Sequence, residues 1–222
     1  CVLTIPAAGS EMSESSVITN EDGDVKLGYS NDISRPKFAI MNPVRTFTLP
    51  AYQTAAGVTD MLMHTMERYF IPCPPTDLTD RIAESILKTV IEAGKTLMKN
   101  PSDYEARANM MWASSLSHNN LTGCGRENRL AVHQLEHAIS GEYDEVAHGA
   151  GLAVLYPAWC RYVYKYNIPR FAQMARRVWD VTEADDEKAA LMGIDKIAEY
   201  CQLSIEEVKE LAEKNNQTPF LP

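Results

Sequence analysis

The sequence GVTDMLMHTMERYF, residues 57–70, belongs to a predicted helical run from Gln53 to Phe70 around which the fold is organised. Apolar residues dominate this run, and it ends before prolines 72, 74 and 75 because a helix does not continue through such a cluster. Asp60 and His64 are four residues apart, so they share one face of the helix with Cβ atoms about 5–6 Å apart. One cation can therefore bind both side chains.

A second segment, HQLEHAISGEYDEVAH at residues 133–148, contains three of the five histidines. His133 and His137 share a helical face, and His148 follows after a loop. Three imidazoles and one carboxylate suit Zn²⁺ or Fe²⁺, whereas Mg²⁺ and Ca²⁺ prefer oxygen ligands. With an open coordination position, such an ion can polarise a carbonyl oxygen. The pattern predicts one metal site formed by Asp60, His64, His133 and His148, with His137 as a proton relay.

Structural roles compete with these assignments, because a lone histidine in an apolar stretch is more often packed than ligating. His118 has no companion at helical spacing and is predicted to be structural. Asp60 lies among apolar neighbours, where an unpaired carboxylate is costly, and a metal would supply its cationic partner. Glu67 and Glu136 are predicted to support the ligands or to face solvent, since the ligand set is already full.

Composition excludes several classes of protein. The 222 residues suit one domain or two small ones, and a net charge of −9 argues against a nucleic-acid partner. No apolar run approaches the roughly 18 residues of a membrane span. The five scattered cysteines include no C-x-x-C pair, which favours the reducing cytoplasm over a disulfide framework. No glycine-rich phosphate-binding loop is present in the sequence.

The chain changes character at Pro50. Residues 1–49 are predicted to contain short strands and a hairpin turn, at Val2–Ile5, Ser16–Thr19, Phe38–Met41 and Glu21–Asp24. Periodicity then predicts successive helices. They include one from Asp77 or Thr79 to Asn100, one capped by Ser102 or Asp103, and later helices near Arg170–Trp179, Glu187–Tyr200 and Ile205–Asn215, the last opening with a capping box from Ser204 to Glu207. The first residues read as the middle of a strand, so we expect a piece of a longer protein.

Three segments together resemble one family: TIPAAGSEMS (4–13), GVTDMLMHTMERYF (57–70) and AVHQLEHAISGEYDEVAHGAGLAVLYPAW (131–159). They are similar to the iron-containing (group III) alcohol dehydrogenases, in the branch of NADP-dependent butanol dehydrogenases and broad aldehyde reductases. The resemblance implies a mainly α chain with dehydroquinate synthase-like architecture. Residues 50–222 would form an all-helical metal-binding domain, preceded in residues 1–49 by the β-rich end of an α/β dinucleotide-binding domain whose N-terminal part is missing.

The resemblance also implies a set of functional residues. The family's metal ligands fall on Asp60, His64, His133 and His148, and its histidine near substrate and nicotinamide falls on His137. Cofactor contacts fall on Thr4, Ala8, Val17 and Lys26. The implied reaction transfers a hydride between NADP(H), or NAD(H), and a short- or medium-chain aldehyde such as butanal, with Fe²⁺ or Zn²⁺ as the metal. We expect a cytoplasmic homodimer that binds neither nucleic acid nor a membrane.

The chain departs from the family pattern at several places. Ala8 stands where a cofactor-contacting Thr is usual, and the spacing from His137 to His148 is one residue longer than the common form. The glycine-rich pyrophosphate loop belongs to a part that this chain lacks, and the stretch beyond Tyr200 is shortened. Two alternatives stay open at this point: a helical metallohydrolase, or a non-catalytic fragment with a structural metal.

Overall fold

A computed structural model describes residues 1–20, 22, 25–127, 129–143 and 146–214, with side chains as far as Cys201. An antiparallel hairpin of β1 (Ser15–Asn20) and β2 (Val25–Ser30) precedes a helical bundle. The helices are α1 (Ala51–Phe70), α2 (Asp77–Lys99), α3 (Tyr104–His118), α4 (Ala131–Glu142), α5 (His148–Val163), α6 (Ile168–Val178) and α7 (Asp186–Lys214). The chain is thus mainly α, as the sequence predicted.

Helix α1 is the centre of the bundle. Every residue from Gly57 to Phe70 is buried, and α1 contacts α2, α3, α5 and α7. A helix buried on all sides must present apolar groups all round, and Met61, Leu62 and Met63 do so. The polar side chains of the same helix are therefore carried into the interior, where each needs a partner.

Several helix ends follow the sequence signals. Helix α1 stops at Phe70, two residues before the first proline of the cluster, and α2 begins at Asp77. The Asp103 carboxylate accepts a hydrogen bond from the backbone N–H of Ala106 at 2.9 Å and caps α3, one of the two caps predicted. Local chemistry is enough to fix these boundaries.

The β-rich lead differs from the prediction. The predicted strand Ser16–Thr19 lies within β1, but β2 was missed, and most of the predicted turn at 21–24 lies outside the described residues. The predicted strands Val2–Ile5 and Phe38–Met41 reduce to a single parallel bridge between Val2 and Ile40. Because strands need neighbours to complete their ladders, β-branched composition alone did not identify which segments pair.

Helix α7 corrects the prediction of two final helices. It runs without a break from Asp186 to Lys214, through the positions of the predicted capping box at 204–207. The sequence from 201 to 214 contains neither Gly nor Pro, so nothing stops the helix there. Ser and Glu at capping-box spacing are compatible with a helix interior as well as with a helix start.

A buried ion-pair network ties α2 to α6. The Asp80 carboxylate accepts from Arg170 Nη2 at 2.6 Å and is also paired with the Arg126 guanidinium. Arg170 lies over the Tyr69 ring, with its guanidinium carbon 3.7 Å from the ring centroid. Phe70 and Phe171 stack beside it with centroids 3.9 Å apart.

Among the described helices, none has both the length and the apolar character that crossing a bilayer requires.

Candidate metal centre

Three helices bring the predicted ligands together. Asp60 and His64 come from α1, His133 from α4, and His148 is the first residue of α5. Ligand atoms of Asp60, His64 and His133 all lie within 4.8 Å of one another. Asp60 Oδ1 is 3.1 Å from His64 Nδ1, 3.4 Å from His133 Nε2 and 3.7 Å from His148 Nε2. The three imidazoles therefore converge on one carboxylate oxygen of Asp60.

Glu67 orients His133 from the other side of the ring. Its carboxylate accepts from His133 Nδ1 and from the backbone N–H groups of Val132, at 2.8 Å, and His133, at 3.2 Å. Glu67 lies one helical turn beyond His64 and is 3 % exposed, so this carboxylate faces the cluster and not solvent. A carboxylate on Nδ1 leaves Nε2 of the same imidazole free to bind a cation.

Glu136 has the same relation to His148. Glu136 Oε2 accepts from His148 Nδ1 and also from the Ser140 hydroxyl at 3.2 Å. Glu136 is fully buried, whereas the His148 side chain is 27 % exposed. The solvent-facing role left open by the sequence is wrong, because both carboxylates are buried and each is bonded to a histidine of the predicted ligand set.

The charges of the cluster are set by burial and by each other. Burial alone would raise the pKa of Asp60, but His64 and His133 hold it well below its usual value. Burial lowers the pKa of His64 to about 4 although Asp60 opposes this. Burial also acts to lower the pKa of His133, yet its interactions with the carboxylates of Asp60 and Glu67 outweigh this and raise that pKa to about 9. An ionised carboxylate thus sits in the interior beside an imidazole that readily takes a positive charge.

The donor set fits a divalent cation. Asp60 Oδ1 and His133 Nε2 are buried, and within the described part of the chain neither has a hydrogen-bond partner. Buried polar atoms are rarely left unpaired, so both require an explanation. Nitrogen donors of His64 and His148 lie next to the same oxygen. One carboxylate oxygen with three imidazoles is a donor set that Zn²⁺ and Fe²⁺ accept.

His137 lies at the edge of this cluster. Its ring centroid is 5.1 Å from that of His148 and 6.5 Å from that of His133. Burial, together with the neighbouring histidines His148 and His133, lowers its pKa to about 4. A ligand atom of His137 also lies within 4.8 Å of ligand atoms of Glu136 and His148. The side chain is therefore a neutral imidazole at neutral pH, placed beside the candidate ligands.

The sequence did not anticipate the position of His118. Its ring lies 3.9 Å from that of His64, centroid to centroid, so all five histidines of the chain gather in one region. Arg68, only 1 % exposed, donates to His118 Nδ1 at 2.9 Å and to the His64 carbonyl at 3.0 Å. The nearest sequence clue was Arg68 itself, four residues after His64 in a run dominated by apolar residues.

The segments predicted to contact a cofactor border the cluster. Lys26 Nζ on β2 donates to the Ser140 hydroxyl on α4 at 2.7 Å. Gly9 has a φ of +59° and donates its N–H to Ser114 Oγ at 3.2 Å, and a Cβ there would lie 2.6 Å from the Ser114 carbonyl oxygen. Glycine is therefore required for the loop to lie against α3. The other predicted cofactor residues, Thr4, Ala8 and Val17, are exposed.

Comparisons with known proteins identify relatives of this chain. The C-terminal model of the Fe-containing alcohol dehydrogenase family matches residues 54–218. NADH-dependent butanol dehydrogenase A of Clostridium acetobutylicum is 42% identical over 201 residues, covering 90% of this chain and 51% of that enzyme. NADPH-dependent aldehyde reductase YqhD of Escherichia coli is 37% identical over 188 residues, covering 85% of this chain and 48% of that enzyme.

Solved structures show the same fold. The crystal structure of NADH-dependent butanol dehydrogenase A from Thermotoga maritima superimposes with a TM-score of 0.88 at 35% identity, over 96% of this chain and 58% of that one. The E. coli YqhD structure gives a TM-score of 0.86 at 32% identity, over 99% of this chain and 60% of that one. The chain spans about half the length of the curated relatives it matches. With a family match over most of its length, the chain belongs to the iron-containing alcohol dehydrogenase family.

Proposed function

We propose that this chain is the metal-binding part of an NAD(P)-dependent alcohol dehydrogenase or aldehyde reductase acting on short- or medium-chain aldehydes such as butanal. The observation that carries the proposal is the convergence of three imidazoles on Asp60 Oδ1, which is buried and has no hydrogen-bond partner within the described residues. The names of the relatives, butanol dehydrogenases and an aldehyde reductase, supply the reaction and the substrate class.

In this proposal Asp60, His64, His133 and His148 hold Fe²⁺ or Zn²⁺. When bound, the ion supplies Lewis-acid polarisation of the aldehyde oxygen. Glu67 and Glu136 keep Nδ1 of His133 and His148 engaged, so that both rings offer Nε2. Helices α1, α4 and α5 exclude water from Asp60, and electrostatic interactions are stronger in such an environment.

His137 is proposed to move a proton at the substrate oxygen. Since its pKa is lowered to about 4, the imidazole is neutral at neutral pH and can accept a proton at a ring nitrogen from an alcohol. In aldehyde reduction the same nitrogen would deliver a proton that it has taken from solvent. Its half-buried position beside His148 supports this role, because one side of the ring can reach water.

The nicotinamide side is proposed to include Thr4, Ala8, Val17 and Lys26. Residues 1–49 would belong to a dinucleotide-binding domain, and residues 50–222 would form the helical domain. Exposed apolar side chains on the lead, with Ile18 68%, Leu27 63% and Phe38 72% exposed, support further packing on this surface. Relatives using NADH and NADPH both occur, so NADP remains our proposal with NAD as the alternative. We further propose a cytoplasmic homodimer.

The first test is enzymatic. Full-length protein is mixed with butanal and NADPH or NADH, and absorbance of the reduced cofactor is followed before and after treatment with a chelator. We expect oxidation of the cofactor that chelation abolishes and Fe²⁺ or Zn²⁺ restores. Activity that survives complete removal of metal refutes the metal mechanism, and hydrolysis products without cofactor oxidation would favour a metallohydrolase.

The second test separates ligand from relay. His64→Ala is expected to lose bound metal and activity together, because the side chain contributes one of the four proposed donors. His137→Ala is expected to keep its metal and to lose rate, since it lies beside the ligands. Metal content is measured by elemental analysis, and circular dichroism checks that both variants are folded. Full occupancy in His64→Ala, or an empty site in His137→Ala, contradicts the assignment.

A further inference from the structure

A chain of hydrogen bonds connects the hairpin to the candidate ligand His148. Lys26 Nζ on β2 donates to Ser140 Oγ at 2.7 Å, and the Ser140 hydroxyl donates to Glu136 Oε2 at 3.2 Å. The same carboxylate oxygen accepts from His148 Nδ1. Ser140 is 3% exposed and Glu136 is fully buried, so water does not replace these bonds when one is broken.

The donor and the acceptor of every hydrogen bond in this series are fixed by its two charged members, Lys26 and Glu136. An ammonium group only donates, so the Ser140 oxygen accepts from Lys26 and the single hydroxyl hydrogen is left for Glu136. An ionised carboxylate only accepts, so Nδ1 of His148 must carry hydrogen. The remaining ring nitrogen, Nε2, is then a lone-pair donor, and it is the atom that lies 3.7 Å from Asp60 Oδ1.

Glu136 depends on Ser140 more than Glu67 depends on any single partner. Glu67 is held by two backbone N–H groups at the start of α4 in addition to the His133 ring. Glu136 Oε1, in contrast, is buried and has no hydrogen-bond partner within the described residues. Apart from the imidazole that it orients, Glu136 accepts a hydrogen bond from the Ser140 hydroxyl.

His148 is also the proposed ligand that packing holds least. Its side chain is 27% exposed, against 4% for His133 and 5% for His64. A side chain with this freedom binds a cation well only if hydrogen bonds restrict its rotamer and its tautomer, because otherwise binding must order it.

We propose that Ser140 and Lys26 are positioning residues of the metal site, which act by holding Glu136 and through it His148. Lys26 would then have a second role besides its proposed contact with the cofactor, and docking of the hairpin on α4 would raise metal affinity. The inference rests on the proposed function, since it takes His148 as a ligand.

The test measures the Zn²⁺ affinity of this chain by competition with a chromophoric chelator. Ser140→Ala is expected to weaken binding about tenfold, at the low end of what loss of such a supporting hydrogen bond costs. Ser140→Thr keeps the hydroxyl and is expected to stay within about threefold of wild type. Equal affinities for the Ala variant, the Thr variant and wild type overturn the inference. Lys37→Met, which removes an exposed lysine of the same lead, is the control for charge.

A double-mutant cycle separates position from charge for Lys26. Removing a nearby positive charge should by itself favour a bound cation, and this effect is the same with or without the Ser140 hydroxyl. The orienting effect of Lys26 exists only when Ser140 is present. We therefore compare the change in Zn²⁺ affinity that Lys26→Met causes in wild type with the change that it causes in Ser140→Ala. The change in wild type is expected to be less favourable to binding by about threefold or more.

If Lys26→Met changes Zn²⁺ affinity equally in the two backgrounds, the positioning role of Lys26 is rejected. The single variant Lys26→Met also tests this role if Ser140→Ala proves poorly folded. An increase in its Zn²⁺ affinity as large as the loss of charge alone predicts would contradict the inference. Thermal unfolding of each metal-free variant shows whether the fold is retained. If wild type itself binds no Zn²⁺, the proposed function fails first. Binding by wild type with no loss in Ser140→Ala leaves the proposed function standing and rejects only the positioning role.

Discussion

Glu67→Gln replaces one carboxylate oxygen by an amide nitrogen where α1 meets the start of α4. Helix α4 has no side-chain cap of its own, since its first residues follow Leu130. The Glu67 carboxylate accepts from the N–H groups of Val132 and His133 instead, and it also holds His133 Nδ1. One side chain therefore both begins a helix and orients a proposed metal ligand.

The cost of the change can be worked from these contacts. A hydrogen bond to a charged group contributes about 1.5–3 kcal/mol, and an N-cap about 1 kcal/mol. Glu67→Ala, which leaves buried donors unpaired, should therefore lower the free energy of unfolding by about 3–5 kcal/mol. Glu67→Gln keeps the shape and one acceptor oxygen, so about 1–2 kcal/mol is expected. Whole domains have about 5–15 kcal/mol, so both losses are measurable.

Urea unfolding of the metal-free chain measures the first effect, and a Zn²⁺ titration measures the second. Glu67→Gln should bind Zn²⁺ about 10–100-fold more weakly, because the amide no longer fixes His133 with Nδ1 protonated. Glu92→Gln, an exposed position on α2, is the matched control and should change neither quantity. If Glu67→Gln unfolds at the wild-type urea concentration and binds Zn²⁺ as tightly, the reasoning about this carboxylate is refuted.

Two further predictions concern the bundle. Gly149→Ala should lower the free energy of unfolding by about 1–3 kcal/mol, because its Cβ would meet the Ala56 backbone where α5 crosses α1; a melting temperature equal to that of Gly28→Ala, whose Cβ meets nothing, would contradict this. Burial acts to raise the pKa of Asp80, but Arg170 outweighs it and lowers that pKa to about 2 from the ordinary 3.8. The ionised Asp80 carboxylate therefore stabilises the fold fully above pH 3.8, and this contribution is lost as pH falls through about 2. Between about pH 4 and pH 2, the free energy of unfolding measured with urea should therefore fall by about 2 kcal/mol less in Asp80→Asn than in wild type. Equal decreases in the variant and in wild type would show that the pairing of Asp80 is not responsible.

The sequence was most informative where structure is decided locally. The proline cluster ended α1 at Phe70, and Asp103 capped α3, because each signal acts within a few residues. It was least informative for β2 and for the division of α7. A strand is defined by the strand with which it pairs, so composition did not identify β2. A helix ends only where a residue or a contact interrupts it, so composition did not show that α7 is continuous.

The candidate site shows the same division. The i,i+4 spacing of Asp60 and His64 was visible in the sequence, because a helix converts spacing into proximity. The bond between Glu67 and the first N–H groups of α4 was not visible, since it joins segments distant in sequence and depends on how the helices cross. The approach of His118 to His64 was not visible for the same reason, because only the packing of α3 on α1 brings the two rings together.

The loop around Gly9 has a consequence for the shape of any substrate pocket here. Its backbone rests directly on the end of α3, close to the Cβ of His118, so no side chain can act as a spacer between them. The distance between this loop and α3 is therefore set by the backbone itself. Any substrate that approached the histidines from this side would meet the loop at that fixed distance from α3, whichever side chains the loop carries.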